Sequence, residues 1–305
     1  MRRNIGYWTF LLFIAVITSN SAQEKEVTII VDTLSNQVYM LTGQGGNIGI
    51  YVGEKHIFMI DDQFERLTDK LKNTISSITQ KPIAFLFNTH MHGDHTGGNA
   101  KFNSEETSIV AHDNVRNRMV EKQIEAINEN KMDVKMAKAM LPEVTFSTDI
   151  TFHDGEETIM AFHVHNAHTD GDAMVYFIKN NVLHMGDTYF SGRYPYIDIA
   201  SGGSINGFIE AHKKALLVIN DETKIIPGHG RPSNKSELKT YIAMLEEIKK
   251  IIQQSIDTGK TLDEVKSNSE LTKAYDAIYG TGFINPERMR EIFYTSLKDG
   301  IKKKP

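Results

Sequence analysis

The chain has 305 residues, contains no cysteine, and carries a formal net charge of −5 at pH 7. The absence of cysteine excludes disulfides, thiolate metal ligands and a lipidated cysteine anchor. The acidic balance lacks the basic footprint of a nucleic-acid-binding protein, so we expect the partner to be a small molecule and not a nucleic acid.

The N-terminus has the layout of a secretory signal peptide. Arg2 and Arg3 precede an apolar stretch over residues 7–18, and small and polar residues follow up to Ala22. This stretch is shorter than the ~20 apolar residues that a membrane-spanning helix needs. We predict that residues 1–22 are removed, an uncleaved anchor being the alternative. Residues 23–305 would then form a single domain, periplasmic or secreted, with no stable membrane insertion; the sequence gives no indication of oligomeric state.

The first part of that domain is predicted to be mostly strands. Four short strands are expected over residues 27–31, 37–41, 47–52 and 56–60, and turn residues separate them. Apolar positions at helical spacing predict a helix over residues 63–78, and the apolar run 83–87 predicts a buried strand.

A dense group of metal-binding residue types follows that buried strand. His90, His92, Asp94 and His95 lie within six residues. In an extended segment residues i and i+2 face the same side, so His90 and His92 can bind one cation. A turn at Gly93 then directs Asp94 and His95 towards a neighbouring position. The spacing suits a pair of metal ions better than a single one.

The middle of the chain contains a segment of different composition. Residues 113–142 are rich in charges and methionine and show no strand signal, which predicts two helices inserted between sheet elements. Such an insertion can serve either as a lid over the pocket or as a structural outrigger. Strands are predicted to resume over residues 150–152, 158–164, 173–178, 181–184 and 224–226. Helices are expected over residues 206–218 and 237–255, and short helices from residue 261 onward complete a helical C-terminal region, about 234–305.

Three further candidate ligands each follow a predicted strand. These are His168 in Ala-His-Thr-Asp-Gly-Asp, Asp187 in His-Met-Gly-Asp-Thr, and His229 in Pro-Gly-His-Gly. Together with the His-x-His-x-Asp-His motif, the set resembles the metallo-β-lactamase superfamily, from about Val27 to Pro232. The resemblance implies an α/β fold, a four-layer αββα sandwich, here with the inserted helical segment.

The resemblance also implies a ligand assignment and a chemistry. His90, His92 and His168 would hold one zinc ion, Asp94, His95 and His229 would hold a second, and Asp187 would bridge the two. Zinc binds imidazole and carboxylate readily, and a zinc-bound water can reach a pKa of about 7, which supplies hydroxide at neutral pH. Asp94 is in addition the catalytic candidate, because its carboxylate can pass a proton to the leaving group.

Weaker candidates surround the predicted ligands. Thr96, Asp172 and Asn99 stand beside ligands in the sequence and are candidates to fix a histidine tautomer or a loop. The aromatic loop after Asp187 is expected to form a pocket wall. Its candidate substrate contacts are Tyr189, Arg193 and Tyr194, with Phe190 and Tyr196 beside them, and Arg193 is suited to a substrate carboxylate. His112 and His165 are further candidates for the pocket wall.

The choice of substrate depends on Asp187 and on export. One β-lactamase branch has cysteine at this position and another lacks a bridging carboxylate there, whereas Asp187 resembles the glyoxalase II and lactonase branches. Export favours a β-lactam or a lactone, because glutathione thioesters belong to the cytosol. The sequence therefore predicts a binuclear zinc hydrolase that uses a zinc-bound hydroxide to open a cyclic amide or ester. The alternatives are a thioester hydrolase of glyoxalase II type and a mononuclear iron enzyme resembling persulfide dioxygenase.

Overall fold

The computed structural model describes residues 26–104 and 106–302, with side chains as far as residue 298. The predicted signal peptide lies outside these residues. Within the described part, no helix is both long and apolar enough to cross a membrane.

The first sheet contains seven strands whose order in the sheet is their order in the chain. Strands β1 to β7 are Ile30–Thr33, Val38–Thr42, Ile48–Val52, Ile57–Ile60, Ile83–Asn88, Ser108–His112 and Val144–Phe146. The first four form the predicted antiparallel meander, and β4 to β7 run parallel to one another. Parallel pairing places the loops that leave β4, β5 and β6 at one edge of the sheet.

The second sheet contains six strands in the order β13-β12-β11-β10-β9-β8. Strands β8 to β13 are Asp149–Asp154, Glu157–His163, Ala173–Phe177, Val182–His184, Lys224–Ile226 and Ser233–Asn234. Only β11 and β12 pair in parallel, so their C-terminal ends also lie together.

In the described ranges, ten α-helices cover the sheets or connect their strands. Helices α1 to α10 are Thr68–Ile78, Gly93–Thr96, Asn99–Phe102, Asp113–Asn128, Val134–Met140, Ile205–Val218, Lys235–Asp257, Leu262–Ser267, Lys273–Tyr279 and Pro286–Lys302. The long helices begin where a polar side chain accepts a hydrogen bond from a free backbone N–H, as Ser204 does for α6 and Asn234 for α7.

Three apolar layers account for the stacking of these elements. Side chains such as Met40 and Phe87 from the first sheet meet Val175 and Phe177 from the second between the two sheets. Leu71 of α1 packs on the outer face of the first sheet. Helices α6, α7 and α10 cover the outer face of the second sheet. Because strand side chains alternate between faces, each sheet can bury both of its faces, which gives the predicted four-layer αββα sandwich.

Three features differ from the sequence-based expectations, namely the last helix and the two short strands β7 and β13. The last helix, α10, has 17 residues and packs against α6, α7 and α8, whereas short helices were expected. Pro286 is its first residue, a position where proline favours helix initiation because no hydrogen bond is lost. The strand β7 was not expected, because three residues are too few to show a periodic pattern.

Candidate metal centre

The seven predicted ligands all lie in the segments that follow strands at one edge of the sandwich, and two of them, Asp94 and His95, belong to the short helix α2. His90, His92, Asp94 and His95 follow β5, and His168 lies between β9 and β10. Asp187 follows β11 within a short 3-10 turn, Gly186–Thr188, and His229 follows β12. Both sheets therefore contribute to the cluster.

The ligand atoms fall into two groups. His90, His92, His168 and Asp187 each offer one atom within 4.8 Å of the others, and Asp94, His95 and His229 form a second group by the same measure.

Asp187 lies between the two groups. Its Oδ1 atom is 3.0 Å from His95 Nε2 and 3.4 Å from His229 Nε2. Its Oδ2 atom is 3.6 Å from His168 Nε2 and 3.8 Å from His90 Nε2. One carboxylate oxygen thus faces each group, as a bridging ligand requires.

Two buried ligand atoms lack the hydrogen-bond partners that such atoms normally have, as is expected of atoms that bind a cation. His90 Nε2 is buried and has no hydrogen-bond partner among the described residues. Asp187 Oδ1 likewise has no well-oriented partner there, although His95 Nε2 is close. A buried polar atom without a partner costs about 1–3 kcal/mol, which coordination would remove. Imidazole nitrogens together with carboxylate oxygens are a donor set that zinc accepts.

The electrostatics differ between the two ligand groups. In the second group burial alone would lower the pKa of each histidine, but Asp187 raises the pKa of His229 to about 9 and that of His95 well above its usual value, so a cation there would replace protons. Burial alone would raise the pKa of Asp187, but His95 and His229 lower it well below its usual value, so the carboxylate is ionised. Burial lowers the pKa of His168 to about 4, and it also lowers the pKa of His90 well below its usual value. These two imidazoles are therefore neutral at pH 7, which is the form that binds metal.

Two carboxylates that the sequence analysis missed hold the outer nitrogens of ligand histidines. Asp61 Oδ2 lies 2.7 Å from His95 Nδ1, and the same carboxylate accepts hydrogen bonds from the backbone N–H and hydroxyl of Thr89. Asp198 Oδ2 lies 3.0 Å from His92 Nε2. Such partners fix the tautomer and orientation of metal-binding histidines. Asp61 also adopts a φ of 60°, a left-handed conformation that a buried non-glycine residue rarely holds.

The other outer nitrogens are held by nearby oxygens. His168 Nδ1 lies 2.8 Å from the carbonyl oxygen of Tyr196, and His90 Nδ1 lies 3.1 Å from the hydroxyl of Thr89. His229 is oriented differently, because its ring stacks on Phe190 with centroids 5.6 Å apart.

The predicted supporting residues hold loops instead of ligand rings. The buried Asp172 carboxylate accepts hydrogen bonds from the backbone N–H and hydroxyl of Thr169, which closes the turn after His168. The Thr96 hydroxyl donates to the carbonyl oxygen of His92. Asn99 bonds to Asn88 and to a backbone carbonyl of the insertion. Among the described residues, none of these three side chains forms a hydrogen bond with the ring of a ligand histidine.

A cavity of about 630 Å³ opens over the cluster. The ligands exposed in it are His92, Asp94, Asp187 and His229, and its remaining walls are Gln44, Phe64, Gly93, Phe190, Arg193, Tyr194, Tyr196, Phe283 and Ile284. Its size is typical of a small-molecule site.

The predicted substrate contacts have different outcomes. Arg193 and Tyr194 line the cavity, although the Tyr194 hydroxyl is engaged 2.7 Å from Asp276 Oδ1. The prediction that Tyr189 contacts the substrate is wrong. Its ring is buried, its hydroxyl lies 2.8 Å from Ser233 Oγ, and it is not among the residues that line this cavity. Tyr189 lies two residues after Asp187, at the end of the 3-10 turn, where an extended backbone directs the side chain into the core.

The helical insertion lies away from the cavity. None of the described lining residues belongs to 113–142, which favours the structural role of the insertion over the lid. Arg118 of α4 instead forms a bidentate ion pair with Asp170, with N–O distances of 2.6 and 2.7 Å. Neither His112 nor His165 is among the described lining residues, so the predicted place of both in the pocket wall is wrong; His112 instead accepts a hydrogen bond from the N–H of Asn114 at the start of α4.

Comparison with known proteins agrees with the fold and the motifs. A family model described as the metallo-beta-lactamase superfamily matches residues 23–229. The structure is similar to that of a metallo-beta-lactamase from Pontibacter korlensis, with 19% identity and a TM-score of 0.59, covering 72% of this chain and 99% of the other. It is also similar to the DIM-1 metallo-beta-lactamase, with 20% identity and a TM-score of 0.58 over 72% of this chain and 99% of the other.

A third similar structure extends further along the chain. A double mutant of the sec-alkyl sulfatase PisA1 matches with 14% identity and a TM-score of 0.70, covering 88% of this chain and 50% of the other. At these identities the structural likenesses show the fold alone, whereas the family model matches more than half of the sequence. The chain therefore belongs to the metallo-beta-lactamase superfamily.

Proposed function

We propose that the protein is an exported binuclear zinc hydrolase that opens a cyclic amide or ester of the β-lactam or lactone type. The observation that carries this proposal is the position of Asp187, with one oxygen towards each of two ligand groups. A site for a single metal would not need a second group of donors on the far side of that carboxylate. Family membership and the His/Asp cluster support a metal-dependent hydrolase in general.

The zinc ions would supply Lewis acidity that polarises a carbonyl and activates water at neutral pH. Asp94 is the residue placed to handle the proton. Its carboxylate is partly exposed in the cavity, with Oδ2 3.4 Å from His229 Nε2 and 3.8 Å from His95 Nε2. Burial alone would raise the pKa of Asp94, but these two histidines lower it, so the ionised form can accept a proton and deliver it to the leaving group.

The walls of the cavity would orient the substrate. Phe190 and Tyr196 present flat apolar surfaces beside the ligands His229 and His92. Arg193 is an exposed cation on the same wall and suits an anionic group on the substrate, such as a carboxylate.

A sulfate ester is a second candidate substrate. The likeness to the sec-alkyl sulfatase covers 88% of this chain, against 72% for the β-lactamases. Thioesters remain the other hydrolytic alternative, and a mononuclear iron enzyme would be distinguished by its metal content.

The test is a substrate panel on the purified protein, comprising β-lactams, lactones, thioesters, phosphodiesters and alkyl sulfates. We expect turnover of a lactone or a β-lactam that a chelator abolishes and added zinc restores. Turnover confined to sulfate esters or thioesters would overturn the assigned substrate class.

Asp94→Asn tests the role of the proton-handling residue. We expect kcat to fall by about 100-fold or more, because a positioned acid or base contributes about that much. Asp149→Asn, at an exposed position in β8, is the matched control and should leave kcat unchanged. Near-normal turnover of Asp94→Asn at equal metal content would remove Asp94 from the mechanism.

A further inference from the structure

We propose that residues 280–285 form a hydrophobic subsite in which Phe283 makes the enzyme prefer substrates with an apolar arm. This segment connects α9 to α10 and lies beyond residues 23–229, which the family model matches. The inference rests on the proposed function and adds that the preferred substrates carry an apolar arm.

The segment is fixed to the body of the domain on both sides of Phe283. Ile284 is buried in the apolar core beneath α6 and α7. On the other side, the backbone N–H of Tyr194 donates to the carbonyl oxygen of Tyr279 over 2.8 Å, and the Tyr194 hydroxyl bonds to Asp276. These contacts join the end of α9 to the aromatic loop that follows Asp187.

Gly282 allows the segment to lie directly on that loop. A Cβ atom at this position would lie 3.1 to 3.3 Å from three side-chain carbons of Arg193, which is closer than ordinary van der Waals contact. The absence of a side chain therefore keeps the backbone of the segment against the stem of Arg193. The next residue, Phe283, is consequently held at the rim of the cavity.

Phe283 is exposed where an apolar ligand group can reach it. Its ring is 87% exposed, and its centroid lies 6.3 Å from that of Tyr196 in an edge-to-face contact. Tyr196 in turn lies 6.1 Å from the ring of His92. A continuous aromatic surface thus runs from a predicted metal ligand to the rim.

The rest of the wall has the same character. Phe64, Phe190 and Ile284 line the cavity together with Tyr196 and Phe283. An alkyl or aryl arm laid along this surface would remove apolar area from water on both partners, and this is the main source of binding free energy for such groups. The carbonyl end of the same substrate would then reach the ligand cluster.

The test is the hydrolysis of γ-lactones that carry unbranched alkyl chains of two to eight carbons. We expect kcat/KM of the wild-type protein to rise with chain length. In Phe283→Ala the advantage of the longest chain over the shortest should fall by about fivefold or more, less than a fully enclosed pocket would give. The loss should appear in KM with kcat unchanged, because the arm binds equally in the ground and transition states.

Two further variants serve as controls. Phe283→Leu keeps an apolar side chain and should retain most of the preference. Leu217→Ala removes an equally exposed side chain from α6, 86% exposed and outside the cavity lining, and should change nothing. An unchanged preference in Phe283→Ala, or a wild-type protein without chain-length preference, would overturn the inference.

A binding measurement separates this inference from the proposed function. If the wild-type protein hydrolyses no lactone, the proposed function fails, but the subsite is still tested by calorimetric titration of the metal-free protein with octanoate and with butyrate. We expect octanoate to bind more tightly, and the difference to shrink by about fivefold or more in Phe283→Ala. Equal binding of the two carboxylates, or an unchanged difference in the variant, would contradict the subsite.

Discussion

Asp61 and Asp198 show how single side chains organise the cluster from outside it. Each accepts a hydrogen bond from the outer nitrogen of one ligand histidine, and the two act on different ligand groups. His92 also lies 2.9 Å from His168 through its inner nitrogen, so its orientation affects a second ligand. Loss of either carboxylate should therefore weaken one group more than the other.

Asp198→Asn should weaken metal binding by the group that contains His92. Asparagine keeps an oxygen acceptor but removes the negative charge that faces the imidazole, and such partners contribute about 10- to 100-fold to metal affinity. Zinc titration in competition with a chelating indicator would measure both binding steps. One step should weaken and the other should stay constant. Unchanged zinc affinity in both binding steps would show that Asp198 does not support His92 as a ligand.

His212 should make the stability of the protein depend on pH. It is buried in α6, and its Nδ1 atom lies 2.7 Å from the carbonyl oxygen of Phe208. Burial lowers its pKa from 6.5 to about 4. Between these values the unfolded chain takes up a proton that the folded protein does not. The contribution to stability is thus present above pH 6.5 and is lost as the pH falls towards 4, at about 1.4 kcal/mol per pH unit at most.

His212→Phe should flatten that dependence. Urea unfolding of the metal-free protein at pH 7 and pH 5 would show a smaller difference in unfolding free energy than the wild-type protein shows. His153→Asn, at an exposed position in β8, is the control and should retain the full difference. An equal difference in His212→Phe and wild type would mean that His212 does not carry the effect.

The ligands that the sequence predicted lie in short local motifs, whereas the two carboxylates that it missed do not. The ligands His90, His92, Asp94 and His95 form a dense local motif, and each of the other three follows a strand with its own short motif. Asp61 and Asp198 are acids in loops without a local motif, and only the folded structure brings them to a histidine. Acids of that kind occur throughout the chain, so no local pattern separates them from solvent-exposed residues.

At the scale of elements, helix α4 supports the loop that carries His168. Besides the ion pair between Arg118 and Asp170, the side-chain amide of Asn114 donates to the carbonyl oxygen of Asp170 over 2.8 Å. The backbone N–H of Asp170 donates in turn to Ser201 in the aromatic loop. The insertion thus supports the site from outside the cavity, because it fixes the loop that carries His168.

Arg118→Gln should loosen that loop. A bidentate, half-buried ion pair contributes about 1 kcal/mol to the stability of the loop. Hydrogen exchange of the backbone amides in residues 169–173 should therefore become about fivefold faster. Amides of α6 should be unaffected. Lys213→Gln, which breaks an exposed ion pair with Glu246, is the matched control and should leave the loop unchanged. Unchanged exchange in Arg118→Gln would assign α4 no part in holding the loop.

The elements themselves were largely predictable because their patterns are local. The meander and the buried strand before the motif follow from apolar patterns and turn residues, and the two inserted helices follow from a charged, methionine-rich composition without a strand signal. The position of the insertion relative to the pocket depends on long-range packing and does not follow from its composition. The same holds for Phe283, whose role at the cavity depends on how α10 packs against α7.

At the scale of the whole molecule, the cluster joins the two sheets. The loops after β5 in the first sheet supply four of the seven candidate ligands, and the loops of the second sheet supply His168, Asp187 and His229. Metal ions bound there would cross-link the two halves of the sandwich. Because a ligand that binds only the folded state stabilises it by mass action, the metal-loaded protein should also unfold at a higher temperature than the metal-free protein.

The metal content of the purified protein tests the central claim most directly. Elemental mass spectrometry against protein concentration should give two zinc ions per chain, one for each ligand group on either side of Asp187. A single iron per chain, or no stoichiometric metal at all, would contradict the binuclear hydrolase.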